Sequence, residues 1–477
     1  MVELSNLPLV VDLDGTLILT DSLHESLISM LKLHPFEIFR LIKVYFLGKA
    51  EFKKFVYERS DFKADNLPYR HELIEYIQHE RQQGRKIILA TAAYKEIAYK
   101  IADFLQCFDE VIATDAQNNL KGVNKFKAIE QKIGRGFIYI GDDYADLPIW
   151  KEASGAIIVG SKVNKLTRKV SQIGTPILKQ LSNDSTSVVT WLKAIRLHQW
   201  LKNILLFVPL LTAFQFYDLH KLFIVAVAFI AFSLGASATY ILNDLWDLEN
   251  DREHLSKKNR PFASGRLSIA QGVQASILLL LSAGFISVWV SWFCLGVFLL
   301  YLFITTLYSL RLKQIVLLDI IILSVLYTIR IFSGGVVIHI NLSYTLLAFS
   351  ILIFLSLATV KRCAELVSMH NNKNLIAGRG YMKSDLDILW PLGISTYIGA
   401  IILFGLYINA PETIVHYKTP ALLWLVQLLM IYLIGNLWMM TKRGLMHDDP
   451  IVFFIQDKKS LILLVLIICV ILLARYL

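Results

Sequence analysis

From about residue 196 onward the sequence returns repeatedly to apolar runs of roughly 20 residues, each long enough to cross a bilayer as a helix. No soluble core of this length needs so many. The runs fall near 204–217, 221–242, 272–290, 292–309, 316–337, 343–360, 388–408, 420–440 and 460–476, which predicts a polytopic bundle of about nine transmembrane helices. The first 195 residues differ in kind, because charged and apolar residues alternate there as in a globular domain. The chain therefore reads as a soluble domain over 1–160, a connector with an interfacial helix over 161–195, and a membrane domain over 196–477. A mean hydropathy of +0.54 with 55% hydrophobic residues belongs to the second part.

The formal net charge of +10 needs no nucleic acid to explain it. Between the apolar runs, Lys and Arg concentrate in 243–271, 310–315, 361–387 and 441–459, while 338–342 and 409–419 carry almost none. Basic loops mark the cytoplasmic face. The expected location is thus the cell membrane, with the N-terminal domain and charged loops cytoplasmic and nine crossings leaving the C-terminus opposite. The stretch "SVVTWLKAIRLHQWLKN" is a candidate interfacial helix anchored by Trp191 and Trp200. Cys107, Cys294, Cys363 and Cys469 lack metal-ligand spacing and read as reduced thiols. The opening "MVELSNLPLVVDLDGTL" lacks the basic start of a secretory signal.

In the soluble part, "LPLVVDLDG", "RKIILATAA" and "GFIYIGDD" are short apolar runs that end in polar residues, separated by amphipathic helical segments. That alternation predicts a doubly wound α/β domain with its site at the strand C-termini. A mainly helical insertion over about 21–70 is a candidate cap. The strand ends deliver Asp12 and Asp14, Thr91, and Asp142, Asp143 and Asp146, while "KGVNKFKAI" offers Lys121 and Lys125. Clustered carboxylates can hold Mg²⁺. One can attack phosphorus and another can protonate the leaving oxygen. A hydroxyl and an ammonium can neutralise phosphoryl oxygens.

Taken in order, these motifs resemble the haloacid dehalogenase phosphatase superfamily over residues 7 to about 160. The resemblance implies Asp12 as nucleophile and Asp14 as general acid/base. It implies Thr91 and a lysine on the phosphate, with Mg²⁺ held among Asp12, Asp14, Asp142 and Asp146. Lys125 fits the lysine better than Lys121 because it heads the helical "KFKAIEQKI". A second acid two residues after the first favours phosphatase over dehalogenase chemistry.

The membrane part carries "NDLWDLENDREHLSKKNRP" directly after an apolar run. If the helix continues, Asn243, Asp247 and Asp251 follow one another at four-residue intervals, with Asp244 three before Asp247, on roughly one face. Like charges so placed need a cation, and Mg²⁺ bridging to a diphosphate fits. Lys257, Lys258 and Arg260 could grip the same phosphates. Asp319 and Arg330 lie inside an apolar run, where ionisable groups are costly and default to functional roles. Their spacing of about three turns puts them on one face. Tyr308, Arg311 and Lys313, then Lys361 and Arg362, and Lys202 and Asn203, add polar groups at span ends.

The NDxxDxxxD pattern followed by Arg-Pro makes residues 195–477 resemble the UbiA-type intramembrane prenyltransferase superfamily. The usual second DxxxD motif is incomplete, since Leu323 follows Asp319 at the fourth position. The texts "RLHQWLKN", "YSLRLKQIVLLD" and "VKRCAEL" are closer to the decaprenyl-phosphate phosphoribosyltransferase branch. That branch implies transfer of phosphoribose from phosphoribosyl diphosphate to a polyprenyl phosphate, with release of diphosphate. Its site here would comprise Asn243, Asp244, Asp247 and Asp251 around Mg²⁺, Lys258 or Arg260 on the leaving diphosphate, and Asp319 and Arg330 positioning ribose or lipid phosphate. Tyr308, Lys313, Lys361, Arg362, Lys202 and Asn203 would complete substrate binding. A transferase that leaves a 5-phosphate on lipid-linked ribose, fused to a phosphatase, suggests a bifunctional enzyme in which the soluble domain removes that phosphate. The alternative is a Mg²⁺-dependent prenyltransferase that moves an isoprenoid from its diphosphate to an aromatic acceptor. A non-enzymatic scaffold or transporter is a third class, which absence of Mg²⁺ dependence would favour.

Overall fold

The computed structural model describes residues 6–115, 119–183, 187–254, 256–369, 379–446 and 450–477. The chain forms two compact units, residues 1–196 with 240–277, and residues 197–239 with 278–477. Parts of the expected basic loops, 370–378 and 447–449, lie outside the described residues.

The first unit is built on a six-stranded parallel sheet. Its strands are β1 (Leu9–Val11), β2 (Ile87–Tyr94), β3 (Glu110–Thr114), β4 (Ile138–Gly141), β5 (Gly155–Gly160) and β6 (Ile177–Ser182), in the order β3-β2-β1-β4-β5-β6. β1 is only "LVV", yet it pairs with both β2 and β4. All three of its residues are fully buried, as a strand covered on both faces requires. The strand order reverses between β1 and β4, which opens a crevice beyond their C-terminal ends. Among the described residues, eight helices belong to this α/β framework and its insertion: α1 (Ser22–Leu33), α2 (Ile38–Tyr45), α3 (Lys49–Glu58), α4 (His71–Gln82), α5 (Lys95–Leu105), α6 (Val123–Ile133), α7 (Leu147–Glu152) and α8 (Val163–Gln172). Of these, α1 to α3 form the expected insertion around their own small core of Met30, Leu41 and Val56.

Residues 161–182 correct the expected connector. They fold as α8 and β6, which extend the sheet by one edge strand. Lys179 and Gln180 on β6 hide the signal, because an exposed edge strand does not read as a buried apolar run. The expected interfacial helix is interrupted as well. α9 (Val188–Ala194) ends before Arg196, whose φ of 51° breaks the helix. A 3₁₀ stretch over Leu197–Phe207 and the short α10 (Val208–Thr212) follow. Within that stretch the Trp200 indole N–H donates to Ser237 Oγ at 2.9 Å.

Eight helices among the described residues are long and apolar enough to cross a membrane. They are α11 (Leu219–Trp246), α13 (Ile269–Val290), α14 (Trp292–Leu310), α15 (Leu318–Val337), α16 (Tyr344–Val367), α17 (Leu386–Ile408), α19 (Leu423–Lys442) and α21 (Lys458–Tyr476). Short helices α12 (Leu248–Glu253), α18 (Pro411–Ile414) and α20 (Pro450–Gln456) lie between them. The first expected span, 204–217, is replaced by the 3₁₀ stretch and α10 over 197–212. Small residues bring the membrane helices close. A Cβ on Gly334 would fall 2.1 Å from Leu206 O, and one on Gly393 would fall 2.2 Å from the Trp438 ring.

Candidate active sites

Beyond β1, the chain turns back through Gly15, whose φ is +75°. A Cβ there would lie 2.3 Å from Asp142 Oδ2, so this turn both needs a positive φ and forbids a side chain. Asp12, Asp142 and Asp146 thereby converge, with ligand oxygens all within 4.8 Å of one another. Three acids so close, two of them buried and Asp142 half-buried, call for a cation, and the all-oxygen set suits Mg²⁺. Their protonation reflects the same need. Burial pushes Asp12 up to about 6 against the pull of Lys125, and pushes Asp142 up to about 8, reinforced by Asp12 and Asp146.

Lys125, on α6, is the buried lysine of this site. Its Nζ is 2.9 Å from Asp12 Oδ2 and 3.5 Å from Asp146 Oδ1, and it donates to Tyr139 OH at 3.0 Å. Burial works against its charge, but Asp12 and Asp146 hold its pKa above the usual lysine value. Lys121 is exposed. Asp14 lies apart from the metal trio. Its Oδ1 accepts from Ser22 N at 2.8 Å at the start of α1, and burial, with Asp21 nearby, pushes it up to about 7. A carboxyl that holds its proton near neutrality is suited to acid/base work. Thr91 is fully buried within β2, its Oγ1 accepting from Ala93 N at 2.9 Å.

Two residues of this site escape sequence reasoning. Lys53, from α3 of the insertion, donates to Ala92 O at 2.5 Å and to Asn119 Oδ1 at 2.9 Å, and burial lowers its pKa while Asp14 and Asp21 raise it. Arg70 donates to Thr16 O at 2.8 Å and Gly15 O at 3.0 Å, clamping the turn after β1. No local pattern marks either one, because each acts across more than thirty residues of chain.

In the same unit, the acidic stretch continues the helix almost as expected. Asp247 N donates to Asn243 O and Asp251 N to Asp247 O, both at 2.9 Å, so the three residues do stack at one-turn intervals. Asp244 and Asp251 are buried, Asn243 and Asp247 half-buried. Arg260 Nη1 donates to Asp244 Oδ1 at 3.0 Å and Asp251 Oδ2 at 2.6 Å, and Arg196 also pairs with Asp244. Arginines thus supply the positive charge these acids need, and the oxygen donors fit Mg²⁺. Lys258 is exposed on a 3₁₀ turn, away from the carboxylates that Arg260 bridges.

The second unit separates Asp319 from Arg330. Asp319 Oδ1 accepts from Tyr308 OH at 2.7 Å and from Arg362 Nη2 at 3.1 Å, while Arg362 Nε pairs with Oδ2. Arg362 reaches on to Glu365 at 2.7 Å, where Arg379 joins at 3.2 Å. Arg330 instead donates to Asn203 Oδ1 at 2.7 Å and Tyr301 OH at 3.0 Å, and Asn203 donates to Ser233 Oγ at 2.9 Å. A shared helix face does not give a shared partner, because each residue is drawn to a different neighbouring helix. In the same unit Lys202 and Lys361 line a cavity walled by Leu323, Tyr327, Phe354 and Leu357. Lys202 lies 5.7 Å over the Tyr327 ring. Lys313 is half-buried in the turn after α14.

Residues 204–457 match the UbiA prenyltransferase family, and residues 9–151 match the haloacid dehalogenase-like hydrolases. The chain belongs to the UbiA prenyltransferase family and carries an N-terminal haloacid dehalogenase-like domain. It is 37% identical over 460 residues to protein y4nM of Sinorhizobium fredii, covering 95% of this chain and 88% of that one. It is 31% identical to nodulation protein NoeC of Azorhizobium caulinodans over 57% of this chain and 89% of NoeC. A decaprenyl-phosphate phosphoribosyltransferase of Mycobacterium tuberculosis is 31% identical over 45% of this chain and 72% of its own length. The protein is thus a multi-pass membrane transferase of the UbiA type joined to a hydrolase domain.

Proposed function

We propose that the membrane domain transfers 5-phosphoribose from phosphoribosyl diphosphate to a polyprenyl phosphate, and that the soluble domain hydrolyses the 5-phosphate of the product. The observation that carries this reading is the cavity of the second unit, where two lysines, Lys202 and Lys361, meet an apolar wall. Such a lining suits an acceptor with an anionic head and a hydrocarbon tail better than a neutral aromatic one. Asp319 supports it too. It pairs with Arg362, and Leu323 stands where the usual second motif carries its other acid. The mycobacterial and corynebacterial relatives that bear the phosphoribosyltransferase name agree with this choice.

In the transfer, a lipid phosphate oxygen attacks C1 of the ribose and the C1–O bond to diphosphate breaks. Asn243, Asp244, Asp247 and Asp251 would hold Mg²⁺, and Arg260 would assist the departing diphosphate. In the hydrolysis, Asp12 Oδ attacks the 5-phosphorus and the ribose oxygen leaves with a proton from Asp14. Water, deprotonated by Asp14, then opens the aspartyl-phosphate to release phosphate. Lys125 and Thr91 would contact the phosphoryl oxygens. Mg²⁺ at Asp12, Asp142 and Asp146 would offset charge on those oxygens when bound.

The test uses purified full-length protein with Mg²⁺, polyprenyl phosphate and radiolabelled phosphoribosyl diphosphate. Label should enter the lipid phase and the product should lose its 5-phosphate. Asp12→Asn should block the second step and spare the first, and Asp247→Asn should do the reverse. No lipid-phase label from folded protein, with activity on prenyl diphosphate and an aromatic acceptor, would replace this reading with prenyl transfer.

A further inference from the structure

The insertion of the soluble domain exposes far more apolar surface than its fold needs. α2 and its flanks bury only Leu41 against α1 and α3. Outward they present Phe36 at 84% exposure, Phe39 at 70% and Phe46 at 82%, with Ile42, Tyr45 and Leu47 beside them. The spacing of three and seven residues from Phe36 through Phe39 to Phe46 keeps the aromatic rings on one side of the helix. Arg40, Lys43 and Lys49 flank this face against the single acid Glu37 over residues 36–49. Aromatic and aliphatic residues edged by cations are the composition of a helix lying in a membrane interface.

The same unit holds the insertion to a membrane-spanning element. Arg252, immediately after the acidic stretch, donates to Glu25 of α1 at 2.6 and 3.1 Å and to Asn66 O at 3.1 Å. Lys32 pairs with Glu249 at 3.3 Å, and Asn66 donates to Glu249 O at 3.2 Å. Glu249 and Arg252 lie on α12, directly after α11 ends at Trp246. The insertion is therefore fastened to the segment that directly follows a membrane-length helix.

We propose that the α2 face docks into the headgroup region of an anionic bilayer and so anchors the cap of the hydrolase domain at the lipid surface. The docking itself stands on the exposed face and its attachment. Its use, to admit a phosphate carried on a lipid, rests on the function proposed above.

The experiment places an environment-sensitive fluorophore on Phe39→Cys in full-length protein lacking exposed Cys469, leaving the buried Cys107, Cys294 and Cys363. The protein is reconstituted in nanodiscs containing phosphatidylglycerol. Docking predicts a blue-shifted label, quenched by shallow spin-labelled lipids and shielded from iodide, whereas a label at exposed Lys132 remains aqueous. An iodide-accessible label at position 39, or shielding that depends on protein concentration and persists in detergent, overturns the proposal and in the second case points to a second copy of the chain. A triple Phe36→Ser, Phe39→Ser, Phe46→Ser variant separates docking from its use. Hydrolysis of p-nitrophenyl phosphate should be unchanged while hydrolysis of lipid-linked phosphoribose falls about tenfold, consistent with a single lost membrane anchor. Loss of docking with no change on lipid-linked substrate would keep the docking and remove the lipid-substrate reading.

Discussion

Gly15 shows how much one residue can decide. Its backbone conformation and the missing Cβ together let Asp142 approach the turn that carries Asp12. Gly15→Ala should lower Mg²⁺ affinity of the phosphatase by about 10–100-fold, the range seen when support for a metal ligand is disturbed, measured by metal titration of phosphate release. Arg362 makes a comparable case in the membrane. It and Asp319 are both fully buried, and removing the arginine leaves an uncompensated carboxylate. Arg362→Ala should cost about 3–5 kcal/mol in stability, read as thermal unfolding in detergent, and an Arg362→Met/Asp319→Leu pair should recover most of it.

At the scale of elements, the junction between α1 and α12 is held by a nearly buried ion pair, Glu25 with Arg252, at 9% and 8% side-chain exposure. Glu25→Ala strands Arg252 and should lower stability by about 3 kcal/mol or more. Pairing it with Arg252→Met should restore most of the loss, and a double-mutant cycle measures the coupling. Sequence reasoning reaches the elements unevenly. The strands that lead into Asp12 and Asp142, and the one that carries Thr91, announce themselves as short buried apolar runs that deliver polar residues. β6 does not, because Lys179 and Gln180 face solvent. Helical spacing correctly stacks Asn243, Asp247 and Asp251. It also gives Asp319 and Arg330 one face, but cannot supply the partner helices that draw Asp319 to Arg362 and Arg330 to Asn203. Lys53, Arg70 and the Glu25–Arg252 pair are contacts of long sequence separation, and no periodicity encodes them.

For the whole molecule, fusion would make the second of the two proposed reactions intramolecular. If the proposed pathway holds, the ratio of dephosphorylated to phosphorylated lipid product should not change as the enzyme is diluted. A mixture of Asp12→Asn and Asp247→Asn chains should instead lose its dephosphorylated product on dilution. Chelation should stop both reactions and Mg²⁺ should restore both, which a phosphate-release assay and lipid extraction report separately.

The 3₁₀ stretch from Leu197 to Phe207 has a consequence for the thread of the chain through the bilayer. A 3₁₀ turn advances about 2.0 Å per residue against 1.5 Å in an α-helix. Laid on one axis, residues 197–212 would extend roughly 30 Å, the thickness of a hydrocarbon core, with fewer residues than an ordinary span. A ruler that counts residues passes over this segment, whereas a ruler marked in ångströms accepts it. The difference changes the parity of the crossings. A tag at Leu477 reached by protease only from the face opposite the hydrolase domain would count it in, and a tag reached from the same face would count it out.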